Sequence, residues 1–137
     1  FRCYFFSVMK RKAPPKIPNR LARAPALSEI YWCDFPQDAQ APELWKIRPV
    51  IVVSKERSLH GTVTVIPCSK SPRNATNKWA LEVGAKSFRD RTWAICDKPT
   101  SVAVSRLSQI DGSTESLGRL DFQKVVNKML SRLASFR

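Results

Sequence analysis

From residue 28 onward, apolar residues occur in short runs that are separated by turn-forming residues. These runs are rich in β-branched and aromatic residues and predict β-strands at residues 28–35, 49–54, 62–67, 78–83, 92–96 and 101–105. The run "PVIVVS" (49–54) has no polar interruption before its last residue, which predicts a central strand that is buried on both faces. In "KWALEV" (78–83) the alternation places Trp79, Leu81 and Val83 toward the core.

Only the last segment of the chain has the periodicity of a long helix. Between residues 121 and 135 the apolar residues recur three and four positions apart, after Asp121 as the predicted N-cap. They are Phe122, Val125, Val126, Met129, Leu130 and Leu133. Short strands followed by one helix predict a mainly β fold, a small SH3-like β-barrel with a packed C-terminal helix. The chain has no glycine-rich loop of the kind that binds a nucleotide.

Composition divides the chain into two parts. Residues 1–27 hold seven Lys and Arg and no acidic residue, and four prolines fall within 10–27, so a basic, disordered leader is predicted before a domain at 28–137. The whole chain has 24 Lys and Arg against 11 Asp and Glu, a net charge of +13. Such a charge favours a nucleic-acid partner, although solubility alone would explain the +6 outside the leader. The first methionine is Met9, which raises the expectation that residues 1–8 are a mis-assigned start or a fragment edge.

The cysteine and histidine pattern argues against a metal site. The four cysteines form no CxxC pair and the chain has one histidine, His60, whereas zinc ligands are closely spaced. Cys33, Cys68 and Cys96 lie in apolar runs and are predicted to be buried free thiols in a reducing compartment; a nucleophilic pair with His60 is the alternative. No apolar stretch approaches the roughly 18 residues of a membrane span.

An arginine stands at the entrance of the most hydrophobic strand, in "WKIRPVIVVS". The planar guanidinium of Arg48 can bind two phosphate oxygens and keeps its proton at neutral pH. Pro49 fixes its own φ and restricts the backbone of Arg48. These residues predict a pre-positioned cation for a phosphate; the alternative is an ion pair with Glu43 or Asp38 in the preceding loop.

Several motifs, in this order, resemble the PemK/MazF family of toxin endoribonucleases. They are "EIYWCDF", "RPVIVVS", "VIPCS", "ICDKPTSV" and "SRLSQIDGSTESLGRL" before a C-terminal helix, and they cover about residues 28–134. The resemblance implies an SH3-like barrel that forms a homodimer in the cytoplasm. It also implies an mRNA interferase that cuts single-stranded RNA at specific sequences without a metal or other cofactor, and a cognate acidic antitoxin as the partner that inhibits it.

The resemblance also implies catalytic roles for three residues. In this chemistry the 2′-hydroxyl of the RNA attacks the adjacent phosphate, which leaves a 2′,3′-cyclic phosphate and a 5′-hydroxyl. Arg48 would stabilise the charge on the phosphorane, Ser69 would hydrogen-bond a phosphate oxygen or the 2′-hydroxyl, and Asp97 would be the general base. Without the resemblance, Ser69 is a turn serine that satisfies its own backbone, and Asp97 is a capping or turn residue before Lys98.

The chain departs from the family pattern at two positions. PemK-type members carry an arginine two residues before the aspartate, where this chain has Ile95. They carry a histidine six residues before the arginine, where this chain has Pro42. These departures leave open a mechanism that relies on Arg48 and Ser69 with Asp97 as a helper, a weaker activity, or an inactive, RNA-binding relative. A CcdB-like gyrase-binding toxin without nuclease activity, which shares the barrel fold, is a further alternative.

Further residues are candidates for RNA binding. Trp45 and Trp32 could each stack on an unpaired base. Trp45, in a loop, is the better candidate, whereas Trp32, in a strand, is predicted to be core. The predicted RNA-binding residues are Trp45, Lys46, Lys70, Arg73 and Lys78. For the basic residues that follow Ser69, a solvated basic face is the alternative.

Overall fold

A computed structural model describes residues 12–36, 38–55 and 58–133 of the chain. These residues form β-strands and one C-terminal α-helix, with short 3-10 helices at Pro72–Thr76 and Val104–Arg106. The elements are β1 (Glu29–Asp34), β2 (Ile47–Val52), β3 (Thr62–Ser69), β4 (Ala80–Val83), β5 (Thr92–Ile95), β6 (Thr100–Ala103), β7 (Leu107–Ser108), β8 (Glu115–Ser116) and α1 (Arg119–Arg132).

The strands pair antiparallel in the order β4–β5–β3–β2–β1–β7, with β6 beside β3 and β8 beside β1. This confirms the predicted mainly β class with a C-terminal helix. Within the described residues the sheet does not close into a complete barrel, because no strand pair joins β4 to β7. The two-residue strands β7 and β8 are too short to leave a periodic signal in the sequence.

Strand β3 connects two halves of the sheet because its partners change along its length. Its first half, Thr62 to Val65, pairs with β6, and its end pairs with β5 at Cys68 and Ser69. On its other edge it pairs with β2 only from Val65 to Pro67. Beyond Pro67, therefore, β2 stays with β1 while β3 continues with β5, and the two strands part.

The central strands bury both of their faces. Tyr31 lies opposite Val50 in one core cluster, and Ile30 lies opposite Ile51 in a second cluster. Each of these four side chains is at most 1% exposed. This confirms β2 as a central strand and explains its uninterrupted apolar run, because successive side chains face apolar clusters on opposite sides of the sheet.

Helix α1 covers the second core cluster with a narrow apolar stripe. Val125 is fully buried, and Phe122 and Met129 pack against the same cluster. Leu130 lies about 140° around the helix from Val125 and is 53% exposed. Leu130 was predicted to share the buried face, and the five-residue spacing to Val125 explains why it does not.

The start of the helix differs from the prediction. It begins at Arg119 with Gly118 as the N-cap, and the amide of Phe122 donates to the carbonyl of Gly118 at 2.9 Å. The predicted N-cap at Asp121 is wrong, since Asp121 lies in the first turn, where a carboxylate still interacts favourably with the helix dipole. The helix ends at Arg132, and the predicted residues beyond 133 lie outside the described part of the chain.

The segment that precedes β1 is attached to the sheet at two points. Leu21 is 8% exposed and belongs to the same core cluster as Tyr31. The guanidinium of Arg23 donates to Glu29 at 2.6 and 3.4 Å, and the amide of Ala26 and the hydroxyl of Tyr31 also donate to this carboxylate, at 2.6 and 2.9 Å. The boundary predicted at residue 28 stays a prediction, but contacts cross it.

Glu29 makes the stability of the fold depend on pH. Burial would raise its pKa, but the hydrogen bonds from Arg23, the Ala26 amide and Tyr31 outweigh this effect and hold the pKa below the ordinary 4.5. A carboxylate whose pKa is lower in the folded state contributes stability above the unfolded pKa, and that stability is lost as the pH falls through the folded pKa. We expect Glu29→Gln to lower the free energy of unfolding by about 1.5–3 kcal/mol near neutral pH. The difference in the free energy of unfolding between the wild type and Glu29→Gln, measured by urea denaturation, should decrease below pH 4.5.

An exposed ion pair is the matched control for this measurement. Glu82 accepts from Arg91 at 2.8 Å, and its side chain is 46% exposed. Glu82→Gln should therefore leave the free energy of unfolding nearly unchanged, because exposed ion pairs contribute little. A difference between wild type and Glu29→Gln that stays constant from acid to neutral pH would contradict the role given to Glu29.

Candidate nucleic-acid interface and active site

A groove with a volume of about 1110 Å³ opens where β2 and β3 part. The last residues that pair across these strands are Val50 and Pro67. Pro49 and Pro67 have no amide hydrogen with which to continue the ladder, so the strands separate at this point. Arg48 precedes Val50 by two residues and Ser69 follows Pro67 by two, so both lie beyond the last paired residues, and both line the groove.

The side chain of Arg48 is half-buried and lacks the predicted alternative partners. Neither Glu43 nor Asp38 forms an ion pair with it, and Glu43 instead accepts from the amide of Gln40 at 2.8 Å. Its Nε is buried and has no hydrogen-bond partner. An unsatisfied buried donor costs about 1–3 kcal/mol, so this arrangement is unfavourable for stability and calls for a functional explanation.

Ser69 ends β3, where it lies opposite Trp93 of β5. Its hydroxyl oxygen accepts a hydrogen bond from the amide of Ser71 at 3.2 Å, which is the local turn contact expected of a serine at this position. That bond uses an oxygen lone pair and not the hydroxyl proton. The local turn contact and a bond donated to a ligand are therefore compatible.

Asp97 follows the end of β5 and lines the same groove. The backbone turns here, with the amide of Lys98 donating to the carbonyl of Ile95 at 3.2 Å. The Oδ1 atom of Asp97 is buried and has no hydrogen-bond partner. Among the described residues, three buried side-chain polar atoms lack a partner, and two of them belong to Arg48 and Asp97. Unpaired polar atoms are thus concentrated at the groove.

The structure places three of the five predicted RNA-binding residues in the groove, namely Lys46, Lys70 and Arg73. Trp45 is not among its lining residues; it is 59% exposed, and the ammonium of Lys46 lies 5.0 Å from its ring centroid. Lys78 also lies outside the groove, with its ammonium 5.3 Å from the ring centroid of Trp79. RNA binding by these residues remains a prediction.

Trp32 and two cations line the groove although they were not among the predicted RNA-binding residues. Trp32 was predicted to be core, but it is 37% exposed and lines the groove, as do Arg89 and Lys98. Trp32 lies on the face of β1 opposite to Tyr31 and Cys33, but Ile30 on its own face is buried, so the alternation gave no signal that Trp32 is exposed. Arg89 and Lys98 lie in segments that connect strands, so no hydrophobic periodicity in the sequence predicts which way their side chains face.

The lining of the groove is cationic with acidic side chains interspersed. The cations are Lys46, Arg48, Lys70, Arg73, Arg89 and Lys98, and the acids are Asp90, Asp97 and Asp111. The ion pair of Lys70 with Asp90 is 4.0 Å long and exposed, so it contributes little. The positive excess is suited to a polyanion, because clefts lined by one sign of charge concentrate ligands of the opposite sign.

Asp111 reaches the groove from a tight turn. Ile110 and Ser113 form an isolated antiparallel bridge, and Asp111 and Gly112 between them have φ values of 54° and 71°. Positive φ at both central positions is typical of a type I′ turn, in which Asp-Gly is a preferred pair. The turn therefore fixes the backbone of a second groove carboxylate.

Glu115 holds the loop that carries Ser87 and Phe88 along the groove. Its carboxylate accepts from the amide of Lys86 at 2.7 Å and from the amide and hydroxyl of Ser87 at 3.0 and 2.7 Å. Burial raises its pKa, but these hydrogen bonds outweigh burial and lower the pKa overall. The charged form of Glu115 is thus part of the structure that shapes this wall.

The three cysteines that lie in the described part of the chain are buried, as predicted. Cys33, Cys68 and Cys96 are free and buried, and burial raises the pKa of Cys33 to about 12 and that of Cys96 to about 11. His60 is exposed. Such thiols carry almost no thiolate at neutral pH, so a cysteine nucleophile paired with His60 is not supported.

Two searches for other kinds of site concern the described residues only. Within residues 12–36, 38–55 and 58–133, no group of three or more His, Cys, Asp and Glu side chains is arranged to hold a metal ion. No helix in this part of the chain is both long and apolar enough to cross a membrane.

A family model for the PemK-like, MazF-like toxins of type II toxin–antitoxin systems matches residues 28–136. The chain belongs to this family. The resemblance carried by the sequence motifs is thereby confirmed. A search of curated protein sequences found no match.

Solved structures of family members have the same fold. MazF from Deinococcus radiodurans (form I) has a TM-score of 0.63 at 16% identity, and the match covers 78% of this chain and 94% of that chain. A MazE–MazF structure from the same organism (form III) has a TM-score of 0.58 at 17% identity and covers 78% and 94%. An endoribonuclease in complex with its cognate antitoxin, from a mycobacterial species, has a TM-score of 0.59 at 13% identity and covers 80% and 94%. At these identities the likeness shows the fold alone.

The two departures from the PemK pattern have different surroundings. Ile95 is 9% exposed and lines the groove, so an apolar side chain is present where PemK-type members carry an arginine. Pro42 is exposed and is not a lining residue. The positive charge of this groove is therefore supplied from other positions, among them Arg89 and Lys98.

Proposed function

We propose that this chain is a metal-independent, sequence-specific endoribonuclease, an mRNA interferase that acts as the toxin of a type II toxin–antitoxin pair. The observation that carries the proposal is the pair of unsatisfied polar groups, on Arg48 and Asp97, in one cationic groove of a PemK/MazF-family chain. Both residues line the groove, and a guanidinium and a carboxylate there are suited to a substrate that offers an anionic phosphate and a hydroxyl proton.

The proposed reaction is a transesterification within the RNA. Asp97 takes the proton of a 2′-hydroxyl, the 2′-oxygen bonds to the adjacent phosphorus, and the bond from phosphorus to the 5′-oxygen breaks. The leaving 5′-oxygen takes up a proton from water in the open groove. Arg48 and the hydroxyl of Ser69 donate hydrogen bonds to the non-bridging phosphate oxygens, which carry the greatest charge in the phosphorane. The nucleophile belongs to the substrate, and the chain's own groups supply the base and the positive charge.

The partners follow from charge and family. Structural neighbours of this chain were solved as MazE–MazF pairs, which supports an antitoxin as its partner. We propose that this antitoxin is acidic and covers the cationic groove, that the toxin acts as a homodimer, and that it meets its mRNA substrate in the cytoplasm. The gyrase-binding alternative leaves the unpaired Arg48 and Asp97 without a use, whereas the apolar Ile95 in the groove favours the inactive RNA-binding relative as the second candidate.

Cleavage of a long single-stranded RNA by the purified protein in EDTA tests the proposal. We expect discrete fragments that end in a 2′,3′-cyclic phosphate and begin with a 5′-hydroxyl, identified by end-labelling and mass spectrometry. Double-stranded RNA of the same sequence is the control and should stay intact. Intact single-stranded RNA from folded protein would contradict the endonuclease proposal, and retained RNA binding in that case would point to the inactive relative.

A further inference from the structure

A second, smaller cavity continues the groove toward the leader. It has a volume of about 440 Å³ and is lined by Arg20, Trp32, Asp34, Ile47 and Ser108. Trp32 and Ile47 also line the groove, so the two cavities meet at these side chains. A strand of RNA that runs along the groove therefore has a path onto the face of β1.

The face on which the two cavities meet is set by strand register. Trp32 lies opposite Pro49 on one side and Ser108 on the other, and Asp34 lies opposite Ile47. Cross-strand partners share a face of the sheet, so these residues form one continuous surface. Trp32 is 37% and Ile47 is 64% exposed, which is unusual for large apolar side chains in the middle of a sheet.

The leader is held beside this surface by the contacts that precede β1. Leu21 is buried in the core and Arg23 is bonded to the buried Glu29, so the backbone of Arg20 is fixed one residue before an anchor. Arg20 is itself exposed and lines the second cavity. Lys16 and Lys12 are exposed and precede it along the chain.

We propose that Arg20, Lys16 and Lys12, together with Trp32, form an extension of the RNA-binding surface in which Trp32 stacks on a base at the junction of the two cavities and the leader cations contact the flanking phosphates. This inference rests on the proposed function. An exposed tryptophan beside an arginine is a typical platform for an unpaired base. The carboxylate of Asp34 in the same cavity disfavours a phosphate there and favours the amino group of a base.

If the leader extends the RNA-binding surface, substitutions in the leader should weaken binding of long RNA more than binding of short RNA. Binding in the groove alone would not produce this difference. A single-stranded RNA of about 12 nucleotides can occupy both cavities, whereas one of about 4 nucleotides fits the groove alone. Neutralising the three leader cations should therefore weaken binding of the longer RNA and leave the shorter one unaffected. Each lost phosphate contact lowers the slope of log K against log salt concentration by about 0.7, so the triple variant should lose about two units of slope.

The experiment measures binding by fluorescence anisotropy at several salt concentrations, with RNA made non-cleavable by 2′-O-methyl groups. The leader variant is Lys12→Ala, Lys16→Ala, Arg20→Ala. The matched control removes three exposed cations that line neither cavity, Lys55, Arg119 and Lys124. Trp32→Leu should weaken binding of the longer RNA by about 5- to 100-fold, and Trp32→Phe should restore most of it, because a phenyl ring still stacks.

Each outcome decides between the inference and its rivals. Equal slope changes in the leader variant and the control would mean a general charge effect and would overturn the inference. If the wild-type protein cleaves RNA but the leader and Trp32 variants bind the longer RNA normally, the extended surface is refuted. The proposed function is then unaffected. Trp32→Leu could instead keep RNA binding and lose dimerisation or binding to an acidic peptide. That result would assign this face to a protein partner. Failure of the wild type to bind or cleave any RNA would remove both proposals.

Discussion

Arg48→Ala should lower the rate of RNA cleavage by about 10²–10³-fold, the range found when one preorganised donor to a transition state is removed. This guanidinium lines the same groove as Ser69, and neither Asp38 nor Glu43 of the preceding loop forms an ion pair with it. The phosphorane carries more negative charge on its non-bridging oxygens than the starting phosphate, so a fixed cation stabilises it preferentially.

The same substitution should not destabilise the fold. Because Nε of Arg48 is buried without a partner, its removal eliminates an unsatisfied donor and loses no hydrogen bond of that atom. We therefore expect the melting temperature of Arg48→Ala to equal or exceed that of the wild type. Loss of cleavage with retained or improved stability would separate a functional role from a structural one.

Two variants serve as controls for Arg48→Ala. Arg48→Lys keeps the charge but loses the planar fork, and we expect it to recover part of the rate only. Arg119→Ala removes an exposed arginine at the start of α1 that does not line the groove and should cleave normally. Cleavage by Arg48→Ala within about threefold of the wild-type rate would refute the charge-stabilising role.

Asp97→Asn should lower the cleavage rate by about 10²–10⁴-fold, the contribution typical of a positioned general base. An amide has nearly the same shape as the carboxylate but cannot take the proton of the 2′-hydroxyl. The substitution also makes the groove more positive, so the affinity for RNA should not fall. The loss is therefore expected in kcat and not in KM, as measured in single-turnover and steady-state assays with one defined RNA.

Asp111→Asn is the matched control for Asp97→Asn, because both carboxylates line the same groove. Asp111 has a φ of 54°, and asparagine tolerates this left-handed conformation as aspartate does. The control should cleave RNA at close to the wild-type rate. If both variants lose activity equally, the effect comes from the charge of the groove, and Asp97 is not the base.

The strands were predictable where burial on both faces left a continuous apolar run or a clean alternation. Strand β2 is the best example, since Val50, Ile51 and Val52 are consecutive and apolar, which requires apolar neighbours on both sides of the sheet. The boundary of α1 was less predictable, because Gly118 and Asp121 both occur near helix starts and only the backbone decides between them. The strands β7 and β8 are held by pairing to β1 and have no local signal of their own.

The candidate site was predictable in part. The Arg-Pro pair pointed to Arg48 through the chemistry of the guanidinium and the stiffness of the backbone, whereas Ser69 and Asp97 were identified only by their resemblance to a family. Trp32 was assigned to the core because strand residues are usually covered. Whether a given position on a strand is covered depends on which distant segments reach it, and at Trp32 the open groove is the neighbour.

By itself, the sequence determined the mainly β class, the approximate positions of the principal strands along the chain, the amphipathic last helix, the cationic character of the chain and the family to which it belongs. These properties follow from local periodicity and composition, which do not depend on long-range contacts. Only the tertiary structure decided that β2 and β3 part at two prolines, that Arg48 and Asp97 keep unpaired atoms in one groove, and that Arg20 lies beside Trp32. Those features depend on pairings between residues far apart in the chain, and no local pattern of side chains specifies them.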